Sequence, residues 1–355
     1  MILYARPGAE GDLAAELTER TTALGDPGYC EAAEGSGVVL LHAADPAAAD
    51  RLWERLRWRE LIFARQLARE ILPPQRLPAG DRATPLAAAV AAMVTRLDAV
   101  WLEYPDTNEG KRLSRFCRRF ERPVERALHD AGVATGVAGA PRLHCLFGDS
   151  SSVRVVLSRP GTARPGPSAY PGFGCLARRH RARPSKLDEA FQALLTEDQR
   201  RRWLRPGGHA VDLGAAPGGW SWQLVRRGLT VTAVDNGPMD PGLLADGCVE
   251  HLRVDGFRYR PPRPVDWVVC DMVERPQRIV TLMAQWLRRG DARAALFNLK
   301  LPMRQRYRNV SEALSRLRRG LGEGWQIAVK QLYHDRDEVS VCVIPASPGN
   351  PGADR

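Results

Sequence analysis

The stretch Val211-Asp212-Leu213-Gly214-Ala215-Ala216-Pro217-Gly218-Gly219-Trp220 most constrains what this chain can fold into. The apolar residues before it predict a buried strand over 209–213. The apolar positions after it (Trp220, Leu224, Val225) predict a helix over 220–227. A strand, a glycine-rich turn and a helix start make a cradle for an adenosine-bearing cofactor, because glycine lets the backbone approach a ligand closely. The spacing is G-x-x-P-G-G rather than the dinucleotide pattern G-x-G-x-x-G. No close-set second glycine seats a pyrophosphate. The stretch therefore favours S-adenosylmethionine (SAM) over NAD; the alternative is a plain strand-to-helix turn.

The chain has 355 residues, enough for two or three domains, and a formal net charge of +11. A polyanion, nucleic acid before membrane, is the simplest partner for that charge. Of its 52 basic residues only Lys111, Lys186, Lys300 and Lys330 are lysine. Lysine kept in an arginine-rich chain points to positions that need a titratable amine. The seven cysteines are scattered and include no C-x-x-C, which predicts reduced thiols, no zinc or other metal site, and a cytoplasmic protein. Arg6 and Pro7 interrupt the first apolar residues too early for a secretory leader. No apolar run is long enough to span a membrane.

Read in order, residues 1–50 predict a small α+β unit with strands at 2–5 and 38–42 around a helix at 11–24. Pro73-Pro74 and the stretch 77–80 read as a turn. Asp106-Thr-Asn-Glu109 can cap a helix over 110–120, with another at 124–131 and paired strands at 142–147 and 152–158. The 110–120 helix carries Lys111, Arg112, Arg115, Arg118 and Arg119 on its polar face. That face can track phosphates, or it can be an ordinary solvated surface. Residues 159–184, rich in Pro, Gly and Arg with Tyr170 and Phe173 interleaved, read as an interdomain linker able to contact RNA.

From 185 the pattern alternates strand and helix and ends in two adjacent strands at 326–333 and 339–344. This predicts an α/β fold: a doubly wound sheet with an antiparallel last strand. Chemistry in such sheets lies beyond the carboxyl ends of the strands. Gly214, Asp235, Asp255, Asp271 and Lys300 all fall there. Asp235, about 20 residues past the turn, suits ribose hydroxyls. Asp255 is placed for the adenine edge. Lys186 opens the helix leading into the sheet, and Glu338 opens the last strand. Two amines and two carboxylates at one mouth suit deprotonation of a weakly acidic hydroxyl. Lys300 is the candidate base, Lys186 the cation for the developing alkoxide, Asp271 the orienting group for Lys300 and the methyl donor, and Glu338 a positioning group. Burial and a second ammonium would lower the Lys300 pKa and the carboxylates would raise it; the residues alone leave that balance open. A structural ion-pair network is the alternative. Asn/Asp-Pro-Pro-Tyr, the mark of amine methylation, is absent. Cys270 lacks the setting of a nucleophile and reads as a buried apolar residue.

Lys186, Asp271, Lys300 and Glu338 resemble the K-D-K-E tetrad of the FtsJ-like ribose 2′-O-methyltransferases. Asp212-Leu-Gly-Ala-Ala-Pro-Gly-Gly-Trp220, Val234-Asp-Asn-Gly-Pro-Met239, Cys270-Asp-Met-Val-Glu274, Phe297-Asn-Leu-Lys-Leu-Pro-Met303 and Gln331-Leu-Tyr-His-Asp-Arg336 resemble, more narrowly, the bacterial 23S ribosomal RNA cytidine 2′-O-methyltransferases. So do Leu61-Ile-Phe-Ala-Arg-Gln66, Asp106-Thr-Asn-Glu109 and Phe116-Cys-Arg-Arg-Phe120. The resemblance covers nearly the whole chain. It implies a ferredoxin-like part (1–50), a THUMP-type RNA-binding domain (51–158), the linker (159–184) and a Rossmann-like SAM-dependent methyltransferase domain (185–355). It implies Gly214, Ala216, Pro217, Gly218, Gly219, Trp220, Asp235, Asp255 and Asp271 as the SAM site. It further implies a cytoplasmic enzyme with no membrane partner, modifying one cytidine in the peptidyl-transferase region of 23S rRNA that is protein-free or early in assembly; the sequence leaves the oligomeric state open, with a monomer favoured. Ala216 stands where the family often has Cys, a conservative change because the backbone does the binding. Arg183-Pro-Ser-Lys186 departs from the family's serine-rich approach to the first lysine. A tRNA methyltransferase and a non-catalytic RNA-binding assembly factor are the competing readings.

Overall fold

The computed structural model describes residues 1–104, 108–160, 186–245, 247–333, 335 and 337–346. They form two compact units, 1–160 and 186–346.

The first unit runs β1 (Ile2–Tyr4), α1 (Glu10–Ala23), β2 (Gly28–Ala32), β3 (Val38–Ala43), α2 (Pro46–Arg55), β4 (Gln66–Arg76), α3 (Ala83–Ala91), β5 (Ala99–Glu103), α4 (Asn108–Arg112), α5 (Ser114–Asp130), β6 (Arg142–Phe147) and β7 (Ser152–Ser158). Its strands make one sheet in the order β2-β3-β1-β4-β7-β6-β5. β4 is the central strand, antiparallel to β1 on one side and to β7 on the other. It runs through Pro73-Pro74, where the sequence had suggested a turn. The register shifts fall between Glu70 and Leu72 and between Leu72 and Gln75, which accommodates prolines that cannot donate to a ladder.

A second departure lies in α5. The sequence suggested helices at 110–120 and 124–131, but α5 continues through Pro123. Pro123 is exposed, so the carbonyl it leaves without a helical bond can be solvated. The buried stripe Cys117, Val124 and Leu128 keeps helical spacing across it and packs on the sheet core with Val100, Leu143 and Phe147. That packing outweighs the ~3 kcal/mol cost of an interior proline. Asp106 and Thr107 of the expected cap and residues 161–184 of the linker lie outside the described residues, while Asn108 and Glu109 open α4.

The second unit runs α6 (Lys186–Leu194), α7 (Glu197–Trp203), β8 (His209–Leu213), α8 (Gly219–Val225), β9 (Thr230–Val234), α9 (Pro241–Ala245), β10 (Val249–Leu252), β11 (Val265–Cys270), α10 (Pro276–Arg289), β12 (Ala292–Lys300), α11 (Arg306–Leu321), β13 (Trp325–Lys330) and β14 (Glu338–Pro345). The sheet order is β10-β9-β8-β11-β12-β14-β13. β8 to β12 are mutually parallel, and β14 is antiparallel to both neighbours. This is the α/β sheet with an inserted antiparallel strand that the sequence implied. β11 and β12 read as nearly continuous apolar runs because both faces are covered. Trp267, Phe297, Trp286 and Phe191 are fully buried around them. Strand order reverses between β8 and β11, so the crevice for ligands opens beyond Leu213 and Cys270.

Candidate active site

The glycine-rich turn leaves β8 at that crevice. Gly214 has φ +79°, and a Cβ there would lie 2.7 Å from Met272 Cγ, so both conformation and space demand glycine. Gly218 has φ +119°, and a Cβ would collide with Leu243 at 2.5 Å. Gly219 differs: it is exposed, and a Cβ would meet nothing within 4 Å. Gly214 and Gly218 shape the loop, whereas Gly219 leaves open space on its outer side. Ala216 is half-buried and precedes Pro217 through a cis peptide; Pro217 is exposed, and Trp220 is half-buried.

Asp235 follows β9 and reaches back to this turn. Its Oδ2 accepts the Ala216 N–H at 3.1 Å and its Oδ1 accepts the Gly237 N–H at 2.7 Å. Each oxygen keeps a lone pair for another donor, so two vicinal hydroxyls can be met there. Asp255 is exposed; its Oδ1 accepts the Phe257 N–H at 2.9 Å, and Arg258 approaches its Oδ2 at 3.6 Å. It caps the turn after β10 and leaves acceptor capacity outward. The turn is thus glycine-lined and edged by the carboxylates of Asp235 and Asp255. These residues fit SAM.

Next to the turn, the four tetrad side chains come together. Asp271 directly follows β11, and its backbone N–H still pairs with Leu213. Lys300 ends β12, and Glu338 sits opposite it across the β12–β14 ladder. Lys300 Nζ donates to Asp271 Oδ1 at 2.6 Å and to Glu338 Oε2 at 2.5 Å. Lys186, at the start of α6, donates to Glu338 Oε1 at 2.5 Å and lies 3.7 Å from Asp271 Oδ2. Glu338 therefore bridges the two ammonium groups. The side chains keep between 14% and 29% of their surface exposed, so the cluster is a lined mouth and not a sealed core. Burial pushes the Lys300 pKa down, but the Asp271 and Glu338 carboxylates push it up further and the net direction is up. In this state Lys300 is an ammonium.

Three residues that sequence reasoning passed over complete the site from below. Asn298 Nδ2 donates to Asp271 Oδ1 at 2.9 Å. Ser340 Oγ bonds Asn298 Oδ1 at 2.7 Å and approaches Asp335 Oδ2 at 3.4 Å. Asp335 Oδ1 stands 3.6 Å from Lys186 Nζ. One signal was available: Asn298 is the single uncharged polar residue in the apolar run of β12, and it lies two residues from Lys300, hence on the same face. Asp335 lies in the resembling stretch 331–336, which by itself assigns it no role. A further buried carboxylate, Asp212, accepts the Ser221 hydroxyl at 2.7 Å, and burial pushes its pKa up to about 7.

The sequence was compared with known families and proteins. Residues 1–68 match the RlmM ferredoxin-like domain, 81–159 the N-terminal domain of ribosomal RNA large subunit methyltransferase M, and 185–300 the FtsJ-like methyltransferase family. A ribosomal RNA large subunit methyltransferase M from Alkalilimnicola ehrlichii is 47% identical over 99% of this chain and 96% of its own length. Its counterpart from Methylococcus capsulatus is 46% identical over 96% of both chains, and that from Thauera aminoaromatica 44% over 95% and 93%. With all three domain models matched in order and identity sustained from end to end, this chain belongs to the ribosomal RNA large subunit methyltransferase M family, its second unit being an FtsJ-like methyltransferase domain.

Proposed function

We propose that this chain transfers the methyl group of SAM to the 2′-oxygen of a cytidine ribose in the peptidyl-transferase region of 23S ribosomal RNA. The observation that carries the reading is the bridged Lys186–Glu338–Lys300–Asp271 cluster at the strand ends beside the glycine-rich turn. A ribose hydroxyl is a poor acid, so its attack needs a base and a cation held together, and this cluster supplies both.

SAM, when bound, supplies a methyl carbon made electrophilic by a positive sulfur. The Gly214–Trp220 turn shapes its binding site, Asp235 takes the ribose hydroxyls and Asp255 the adenine edge. Lys300, after losing its proton, accepts the 2′-hydroxyl proton as the oxygen takes the methyl group. Lys186 stays charged and offsets the negative charge growing on that oxygen. Asp271 and Glu338 fix where both amines point. Because its carboxylate neighbours hold Lys300 protonated, only a small fraction is competent near neutrality. The chemical step should therefore accelerate about tenfold per pH unit until Lys300 titrates.

The first unit offers a surface for RNA. Arg112, Arg115, Arg118 and Arg119 are all exposed. Arg112, Arg115 and Arg119 line a shallow depression of about 480 Å³ together with the half-buried rings of Phe116 and Phe120. Guanidinium groups beside aromatic rings suit a phosphate chain with unstacked bases.

The test uses purified protein, methyl-labelled SAM and 23S rRNA from cells lacking the modification, with the modified nucleoside mapped by mass spectrometry. The expected product is 2′-O-methylcytidine, lost at least a thousandfold in Lys300→Ala while SAM affinity stays within about threefold. Label on tRNA but not rRNA would keep the chemistry and discard the substrate. SAM binding without transfer to any RNA would leave the assembly-factor reading.

A further inference from the structure

Seven side chains of the second unit form a closed polar ring, of which the tetrad is only the exposed half. Starting from Lys186, the ring passes through Glu338, Lys300, Asp271, Asn298, Ser340 and Asp335 and returns to Lys186. Sheet geometry explains how it closes. Lys300 pairs with Glu338 and Asn298 pairs with Ser340 in the β12–β14 register. Residues two apart on a strand share a face, so the two pairs stack as rungs on one side of the sheet. Lys300 and Glu338 form the rung at the mouth, and Asn298 and Ser340 form the rung beneath it. Asp335 is anchored locally: its backbone N–H bonds Leu332 O at 3.2 Å, and its Oδ2 accepts the Leu332 N–H at 3.0 Å.

The two halves differ in exposure. Asn298, Ser340 and Asp335 are 0% exposed, so none can touch an RNA ribose. What they reach is the catalytic pairs. Lys300 lies between two carboxylates, Asp271 and Glu338. Lys186 hydrogen-bonds Glu338 at 2.5 Å and has two further carboxylates at ion-pair distance, Asp335 at 3.6 Å from the buried side and Asp271 at 3.7 Å. A buried carboxylate carries a desolvation cost of several kcal/mol, which a purely structural position would avoid with an amide or an apolar side chain.

We propose that Asp335 is a positioning residue for methyl transfer: its carboxylate holds the Lys186 ammonium at the mouth from below, and Ser340 and Asn298 carry the same restraint to Asp271. This rests on the ribose methyltransferase reading above, and it predicts a conditional effect. Among the described residues, the charged groups that act on Asp335 include Lys186 and Glu189 from α6 and Glu338 from β14. Burial pushes the Asp335 pKa up to about 7, with Lys186 opposing and Glu338 and Glu189 adding to the rise. Below that pH the carboxyl is neutral and an amide mimics it; above it, only the ionised carboxylate grips Lys186.

The decisive variant is Asp335→Asn, which keeps size and the acceptor for the Leu332 N–H. Single-turnover transfer to 23S rRNA is followed from pH 6 to pH 9, with thermal unfolding as a check on folding. The expected result is a rate within about twofold of the parent at pH 6 and ten- to hundredfold lower at pH 8.5, with KM for SAM and RNA unchanged. A uniform loss at every pH, or no loss at pH 8.5 in a folded variant, would overturn the proposal. Because the chain has only four lysines, selective lysine labelling gives an activity-independent readout by NMR. At pH 8.5 the Lys186 side-chain signal should move and lose order in Asp335→Asn while that of Lys111 does not. If the parent protein modifies no RNA, the methyltransferase reading fails, and the Lys186 signal still decides whether Asp335 holds that side chain. An unmoved, equally ordered Lys186 signal would overturn the positioning role by itself.

Discussion

Asp212 sits one residue before the last residue of β8 with 1% of its surface exposed. Oδ2 accepts the Ser221 hydroxyl, and among the described residues Oδ1 has no hydrogen-bond partner. Burial, then the Asp271 and Asp235 charges, push its pKa up to about 7 against the opposing pull of the Ser221 bond. The folded chain thus binds a proton between about pH 4 and pH 7 that the unfolded chain, with a reference Asp near 3.9, has lost. Stability from this group is fully present at low pH and falls as pH rises to about 7, with a slope of about 1.4 kcal/mol per pH unit. Asp335 acts in the same direction over the same window. Asp212→Asn keeps an acceptor for Ser221 and cannot ionise. Its melting temperature is expected to exceed the parent's by several degrees at pH 8 and to converge on it below about pH 4; scanning calorimetry at pH 8 and near pH 4 checks this, and a variant less stable at pH 8 would show that the charge is held by something more than Ser221. At this scale the sequence was legible where chemistry forces a residue type. Lysines among arginines and aspartates after strands stood out at Lys186, Lys300, Asp235 and Asp271. Asp335 and Ser340 did not, because their roles depend on a register between strands that no local pattern encodes.

Elements were legible where one periodicity ruled and obscure where two forces competed. β11 showed itself as a run that is apolar except for Asp266. At Pro73-Pro74 and Pro123, local backbone preference argued for breaks, and sheet pairing and a buried helix stripe prevailed. Cross-strand bonds are the part least visible in sequence. β5, β6 and β7 are tied by His144, whose Nδ1 lies 3.1 Å from Glu103 Oε2 and whose Nε2 lies 2.7 Å from Ser158 Oγ, all three residues being fully buried. The arrangement has the connectivity of a hydrolase triad but no access for a substrate, so its work is to fix the register of three strands. His144→Phe removes the imidazole and leaves the Glu103 carboxylate deprived of it in a buried site, at a cost of about 3–5 kcal/mol. The double variant Glu103→Leu/His144→Phe should recover much of that loss, since no buried charge remains to be compensated. Denaturant unfolding of both variants measures the difference; a double variant no more stable than the single one would mean that Glu103 is held mainly by other neighbours.

For the whole molecule, the division of labour between its two units follows from where charge and chemistry lie. The tetrad and the glycine-rich turn are confined to 186–346, whereas the exposed arginines of α4 and α5 belong to 1–160. No helix among the described residues is long and apolar enough to cross a membrane. If those arginines meet RNA phosphates, binding should weaken steeply with salt, each contact adding about 0.7 to the slope of log affinity against log salt on a single strand. Arg115→Ala/Arg119→Ala removes two such contacts beside the Phe116–Phe120 stack, whose rings are 5.1 Å apart. The double variant should bind 23S rRNA roughly ten- to hundredfold more weakly at 0.1 M salt, with the slope shallower by about 1.4. Its affinity for SAM should be unchanged, because no residue of the cofactor turn lies in the first unit. The kinetic counterpart is a raised KM for RNA with kcat retained, since the lost contacts act equally on the ground and transition states. Filter binding across a salt series, run beside calorimetric SAM binding, separates this from misfolding. An unchanged slope would assign the arginine face to solvent.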